Sequence, residues 1–308
     1  MNVHHSRRAV VVGVDGSQEA LRAVRWAAVE ADRRNALLRL VTALPWAGDA
    51  WVGLPSTGDD RYGEHLRNAA EKLLAAAVAV ATEVVPGLVT EHAVVLGYET
   101  TVLGEEAQAA ELLVVGDRGR GRFGALLAGS VAAAMAAHAE CPVIVVRGEK
   151  RGSEVSAVAG VTAGDVPPVV VGIDATPTSE AAIAFAFDEA AARHAPLVAV
   201  HTWIEGIGDT SLAPLLDWDA ATEEVRAQLA ERLAGWGAKY PDVPVERVVT
   251  NARAAQVLLE LSERAQLVVV GSRGHSGMAG FFLSSVSNAL VHQAGCPVAV
   301  VRPADASA

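Results

Sequence analysis

Residues Gly116, Gly119, Gly129 and Ser130 form a G-x2-G-x9-G-S pattern after the apolar run Leu112 to Val115, and Gly271, Gly274, Ser284 and Ser285 repeat the spacing after Leu267 to Val270. The repetition extends beyond these loops. Asp15 and Val41 keep one common offset to Asp174 and Val200, while Gly116 and Cys141 keep a slightly shorter one to Gly271 and Cys296. A repeat of this length exceeds any solenoid unit, so duplication of a whole domain is the simplest account. The chain must then satisfy one fold twice.

At 308 residues each copy is long enough to bury an ordinary core. A hydrophobic content of 51%, with 5% aromatic residues and 28 glycines, points to Ala/Val-rich elements, as in parallel sheets covered on both faces. The net charge of -11 opposes non-specific nucleic-acid or anionic-membrane binding, so any phosphate must be held by local groups. Two cysteines, Cys141 and Cys296, are too few for a disulfide scaffold and suit a reducing compartment; both read as small buried side chains. Arg7 and Arg8 precede an apolar stretch that Asp15 ends too early for a signal-peptide core. The runs Leu73 to Ala81 and Ala125 to Ala137 fall short of a membrane span. A soluble cytoplasmic protein is expected.

In the first copy the order of elements is strand Ala9 to Val14, helix Ser17 to Arg33, strand Leu37 to Ala43 and a helix from about Tyr62 to Val84. Strand His92 to Leu96, helix Thr101 to Ala110, strand Leu112 to Val115, helix Ser130 to Ala139 and strand Val143 to Arg147 complete it. The second copy follows suit, with Thr176 as a helix N-cap ahead of Pro177. Such alternation predicts an α/β fold of two tandem doubly wound parallel five-stranded sheets. Domains are placed at 1–147 and 168–308, joined by a linker at 148–167 that lacks periodicity. The short apolar strands Val143 to Val146 and Val298 to Val301 are expected to pair across a pseudo-two-fold, making one chain an intrachain pseudo-dimer, with a homodimer as an extension.

Ligands of open parallel sheets sit beyond the carboxyl ends of the strands, where strand order reverses. Asp15 stands at the end of the first strand and Gly116 at the end of the fourth; if these ends are adjacent, one crevice holds a carboxylate and a glycine loop. Gly119 and Gly129 allow positive φ and close approach of the main chain to an anion, and Ser130 reads as the N-cap of the last helix, aiming hydroxyl and amides into the loop. A tight turn with an ordinary cap is the plain alternative, and for the aspartates a turn fixed by their own backbone bonds. Ser284 replaces the third glycine of the second loop, which makes that site the more doubtful. Asp117 places a carboxylate near any polyphosphate, a repulsion removed if it points outward or is offset by Arg118, Arg120 or Mg2+. Arg122 and Arg273 add loop charge that reads as solvated sooner than bound. His201 reads as structural, and Trp46, Trp51, Trp203 and Trp218 as cover for the sheet end. No metal-ligand spacing occurs.

The duplicated loop, the Asp at the end of strand one and the Cys-Pro before the final strand resemble the universal stress protein family over nearly the whole chain. The resemblance implies a sheet related to the adenine nucleotide alpha hydrolases and, in the nucleotide-binding branch, ATP as ligand. Carried onto this chain, it puts Asp15 at the ribose, Ala43 at adenine, Val115, Gly116 and Gly119 along ribose and phosphates, and Gly129, Ser130 and Val131 on the phosphates, with Gly13 a further position of the same site. In the second copy the same roles fall to Gly172, Asp174, Thr202, Val270, Gly271, Gly274, Ser284, Ser285 and Val286.

Three functions follow as expectations. The leading one is a non-catalytic, ATP-binding regulator of stress response or growth acting on an unnamed protein partner. A second is a slow ATPase or adenylate-forming enzyme, for which an S-G-G-x-D-S-like loop after strand one would be expected; Gly13 to Ser17 reads G-V-D-G-S. The third is a structural module that binds no nucleotide.

Overall fold

The computed structural model describes residues 9–45, 61–118, 129–147, 166–174, 179–202, 218–272 and 283–302. The chain forms two compact units, Met1–Gly148 and Glu149–Ala308. The first unit runs β1 (Ala9–Gly13), α1 (Gln18–Arg33), β2 (Leu37–Leu44), α2 (Arg61–Val84), β3 (Thr90–Leu96), α3 (Glu99–Ala109), β4 (Leu112–Gly116), α4 (Ser130–His138) and β5 (Val143–Val146). The second runs β6 (Val169–Ile173), α5 (Ser179–Ala192), β7 (Leu197–Thr202), α6 (Trp218–Lys239), β8 (Val245–Thr250), α7 (Ala254–Ser262), β9 (Leu267–Gly271), α8 (Ser285–Gln293) and β10 (Val298–Val301).

Within the first unit the strands lie side by side in the order β3-β2-β1-β4-β5, every neighbouring pair parallel. The second unit repeats this as β8-β7-β6-β9-β10, again parallel throughout. Strand order therefore reverses between β1 and β4 and between β6 and β9, and the carboxyl ends of those strands are neighbours. Val10, Val12, Leu112, Leu113 and Val114 are wholly buried, as both-face coverage of a parallel strand demands.

The first helix shows how the units are assembled. Ser17 caps α1, its Oγ accepting the Ala20 N–H at 3.1 Å, and Ala20, Ala23, Val24, Ala27, Ala28 and Ala31 form the buried stripe. Alanine makes this face thin, so helix and sheet come close: a Cβ on Gly116 would stand 2.8 Å from the Glu19 carbonyl carbon. The chain leaves α1 through Asn35 at φ 49° and leaves α5 through the equivalent His194 at φ 50°. Both units also bury a carboxylate just ahead of that exit. Glu30, 1% exposed, accepts from Arg34 Nε at 2.6 Å, and Glu189, equally buried, pairs with Arg193. Hydrophobic periodicity does not reveal either acid.

Candidate functional site

In the first unit three chain segments meet at the reversal of strand order. β1 delivers Gly13 and Asp15, β4 delivers Val115, Gly116 and Asp117, and Gly129 caps the start of α4. The adjacency that the sequence left conditional is present: Val12 of β1 is in register with Val114 of β4. Ala43, near the end of β2, pairs with Val95 and borders the same rim.

Asp15 is half-buried, and its Oδ1 accepts the Ser17 N–H at 2.9 Å, fixing the turn into α1. This is the backbone-fixing role foreseen as its alternative, held by the same carboxylate that stands at the strand end. Gly16 between them sits at φ 80°, a conformation glycine accepts without strain. The β1–α1 turn is thus closed by its own side chains, Asp15 on Ser17 and Ser17 on Ala20. In the second unit the Asp174 carbonyl accepts from Ser179 Oγ at 2.8 Å and from Arg232 Nη1 at 2.9 Å.

The glycine loop departs from expectation in two respects. The N-cap of α4 is Gly129, not Ser130, which is the first helical residue; in the second unit the N-cap is Ser284. Gly129 has φ -59° and Ser284 φ -58°, so neither needs the left-handed region and the serine is not strained by its backbone. The Gly129 N–H is itself engaged, donating to the Asp117 carbonyl at 2.6 Å, as the Ser284 N–H donates to the Ser272 carbonyl at 3.1 Å. The amide at Gly129 is therefore committed to closing the loop. Ser130, Val131 and Ala132 carry the first-turn amides, groups with no partner inside the helix. The cap contributes no side chain to cover them.

Asp117 points inward. It is 3% exposed, and its Oδ2 lies 3.6 Å from both Arg147 Nη2 and Arg118 Nε. Two guanidinium groups offset its charge, so repulsion of a polyphosphate is met by pairing rather than by outward orientation. Burial pulls the Arg147 guanidinium below its usual range, and the Asp117 carboxylate opposes that shift. Sequence reasoning did not single out Arg147; the signal was present in Arg302, which follows the final strand of the second copy at the matching position.

Other expected positions divide as follows. Val115 and Val270 are buried strand residues, Gly13 and Gly172 face Leu103 and Leu258, and Thr202 ends β7 half-buried. His201 is structural, its Nδ1 at 2.8 Å from the Ile173 carbonyl, just as Thr42 Oγ1 donates to the Val14 carbonyl at 2.8 Å. Gly119, Gly274, Arg120, Arg122, Arg273, Thr176, Pro177, Trp46, Trp51 and Trp203 lie outside the described residues, as does the side chain of Trp218. Among the described residues no group of three or more His, Cys, Asp or Glu is placed to hold a metal ion, and no helix is long and apolar enough to cross a membrane.

The family model described as Universal stress protein family matches residues 6–147 and 166–302. The chain belongs to the universal stress protein family. A universal stress protein of Mycobacterium tuberculosis is 39% identical over 305 residues, covering 98% of this chain and 99% of that one. A universal stress protein of Mycolicibacterium smegmatis is 39% identical over 300 residues, covering 96% and 97%. The crystal structure of a universal stress protein from Archaeoglobus fulgidus superposes with a TM-score of 0.66 at 16% identity, over 96% of this chain and 98% of that one, a likeness of fold alone. Tandem duplication, read from the repeated loops, is thus a property of the family match itself, which falls once on each copy.

Proposed function

We propose that this universal stress protein binds ATP in its first copy and acts as a cytoplasmic, nucleotide-dependent regulator without catalysing turnover. The observation that carries the reading is Gly129: a cap with no side chain, set beside the β1–β4 reversal, leaves the amides of Ser130, Val131 and Ala132 for a phosphate. In this reading Asp15 holds the ribose, Ala43 borders adenine, Gly13 and Val115 line the crevice, Gly116 and Gly119 follow the phosphates, and Mg2+ accompanies the triphosphate. The polyphosphate supplies charge and the chain supplies amides. Asp117, already paired with Arg147, adds no net negative charge at the foot of the loop.

An enzymatic role draws less support. The turn after β1, where an adenylate-forming site would hold phosphate, has its Ser17 and Ala20 amides donated to its own Asp15 and Ser17 side chains. A regulatory protein partner and a homodimer belong to the same proposal, and a sedimentation mass of one chain at working concentration would remove the homodimer. The test of the whole is chemical. Purified protein is denatured and the supernatant analysed for nucleotide, after which fresh protein is incubated with ATP and Mg2+. Intact ATP in the supernatant and no turnover support the regulator; steady product release favours the enzyme. Absence of nucleotide together with an unchanged melting temperature in ATP-Mg would leave only a structural module.

A further inference from the structure

The two loop-closing helices share a backbone bond yet differ in their first turn. In the second unit Ser284 Oγ accepts the Ser287 N–H at 3.1 Å and lies 2.8 Å from Ser287 Oγ, which donates to the Gly271 carbonyl at 2.6 Å. Helix cap, first-turn hydroxyl and strand end are thereby joined in a relay, with Ser287 only 1% exposed. The corresponding residues of the first unit are Gly129, Ala132 and Gly116. None has a hydroxyl. Both hydroxyls of the relay are thus peculiar to the second copy: Ser284 Oγ occupies the Ser287 amide, whose counterpart at Ala132 the first copy leaves uncapped, and Ser287 Oγ holds Ser284 in place.

We propose that the Ser284–Ser287 relay closes the phosphate cradle of the second copy, so that one chain binds one ATP. The inference rests on ATP binding by the first copy. A phosphate approaching α8 must displace the Ser284 hydroxyl from the Ser287 amide and break its contact with the Ser287 hydroxyl. Otherwise it binds one amide short, with a β-carbon and hydroxyl standing in its path. Hydrogen bonds to a charged group are each worth enough that losing one weakens binding by at least about tenfold. Ser284, Ser285, Val286 and Ser287 then serve as a capped helix start, and Asp174, Thr202, Val270 and Gly271 as sheet framework.

The decisive measurement is the number of ATP-Mg molecules bound per full-length chain by titration calorimetry, with circular dichroism melts confirming that each variant folds. Wild-type chain should bind one. Ser284→Gly with Ser287→Ala removes the relay and should raise the number to two. The reciprocal pair, Gly129→Ser with Ala132→Ser, installs the relay in the first copy and should weaken the wild-type site by at least about tenfold. Two sites in the wild type, or one site unmoved by either pair, would overturn the inference while leaving nucleotide binding intact. No binding by any form would instead remove the functional reading on which it rests. Binding that appears only after removal of the relay would uphold the closure and refute the first-copy site.

Discussion

At the scale of single residues, the least replaceable atom is the absent β-carbon of Gly116. Glu19 presents backbone, not a flexible side-chain end, at 2.8 Å from where that carbon would stand. Gly116→Ala should therefore cost about 3 kcal/mol, read as a shift in urea midpoint, whereas Gly172→Ala meets side-chain ends alone, Leu258 Cδ1 at 2.9 Å and Val270 Cγ1 at 3.2 Å, and should cost less. The thiols are governed by burial. It pushes Cys141 and Cys296 up to about 12 from 9.0 by disfavouring the thiolate. The sign follows directly: below pH 9 both states keep the proton, and above it the unfolded chain ionises first. Stability should fall as pH rises from 9 toward 12, and a Cys141→Ala, Cys296→Ala variant should show a shallower decline. At pH 8 a disulfide reagent should label both thiols only on unfolding.

At the scale of elements, α1 and α5 end in the same manner, a buried acid–arginine pair followed by a left-handed residue. Arg193→Ala removes an ion-pair partner of the Glu189 carboxylate, itself 1% exposed, and should cost about 3 kcal/mol by chemical denaturation. His194→Gly removes the strain of a side chain at φ 50° and should raise stability by about 0.5–1 kcal/mol, visible as a higher melting temperature. These elements also mark what the sequence made legible. Every strand and helix of the first copy was foreseen to within about two residues, because valine-rich runs alternate with alanine stripes of helical period. Glu30 and Glu189 escaped, since periodicity treats a charged residue on the buried stripe as noise. The cap of α4 was displaced by one residue because serine is the stronger capping type, yet the loop-closing bond from Gly129 to Asp117 sets the helix start. Asp15 and Gly116 were recognisable by type, but their adjacency needed the β1–β4 pairing, a long-range fact that no local pattern encodes.

At the scale of the whole molecule, duplication has preserved the sheets more faithfully than the rims. Both units keep the same strand order, the buried ion pair and the left-handed exit, while the loop residues differ at the helix cap, at Asp117 against Ser272 and at Ala132 against Ser287. A net charge of -11 should keep the protein from shifting duplex DNA in a gel at about 0.15 M salt, a result that also separates ATP binding from general affinity for polyanions. The tie between Gly129 and Asp117 carries one more consequence. Asp117 donates its own N–H to the Val146 carbonyl, so the departure and return of the chain between them are anchored to the sheet by two successive bonds. The entropy of drawing those ends together is spent when the unit folds, before any ligand arrives. Lengthening the span by a few residues should accordingly leave melting temperature almost unchanged, and whatever docks at the rim meets two chain ends that are already knotted together.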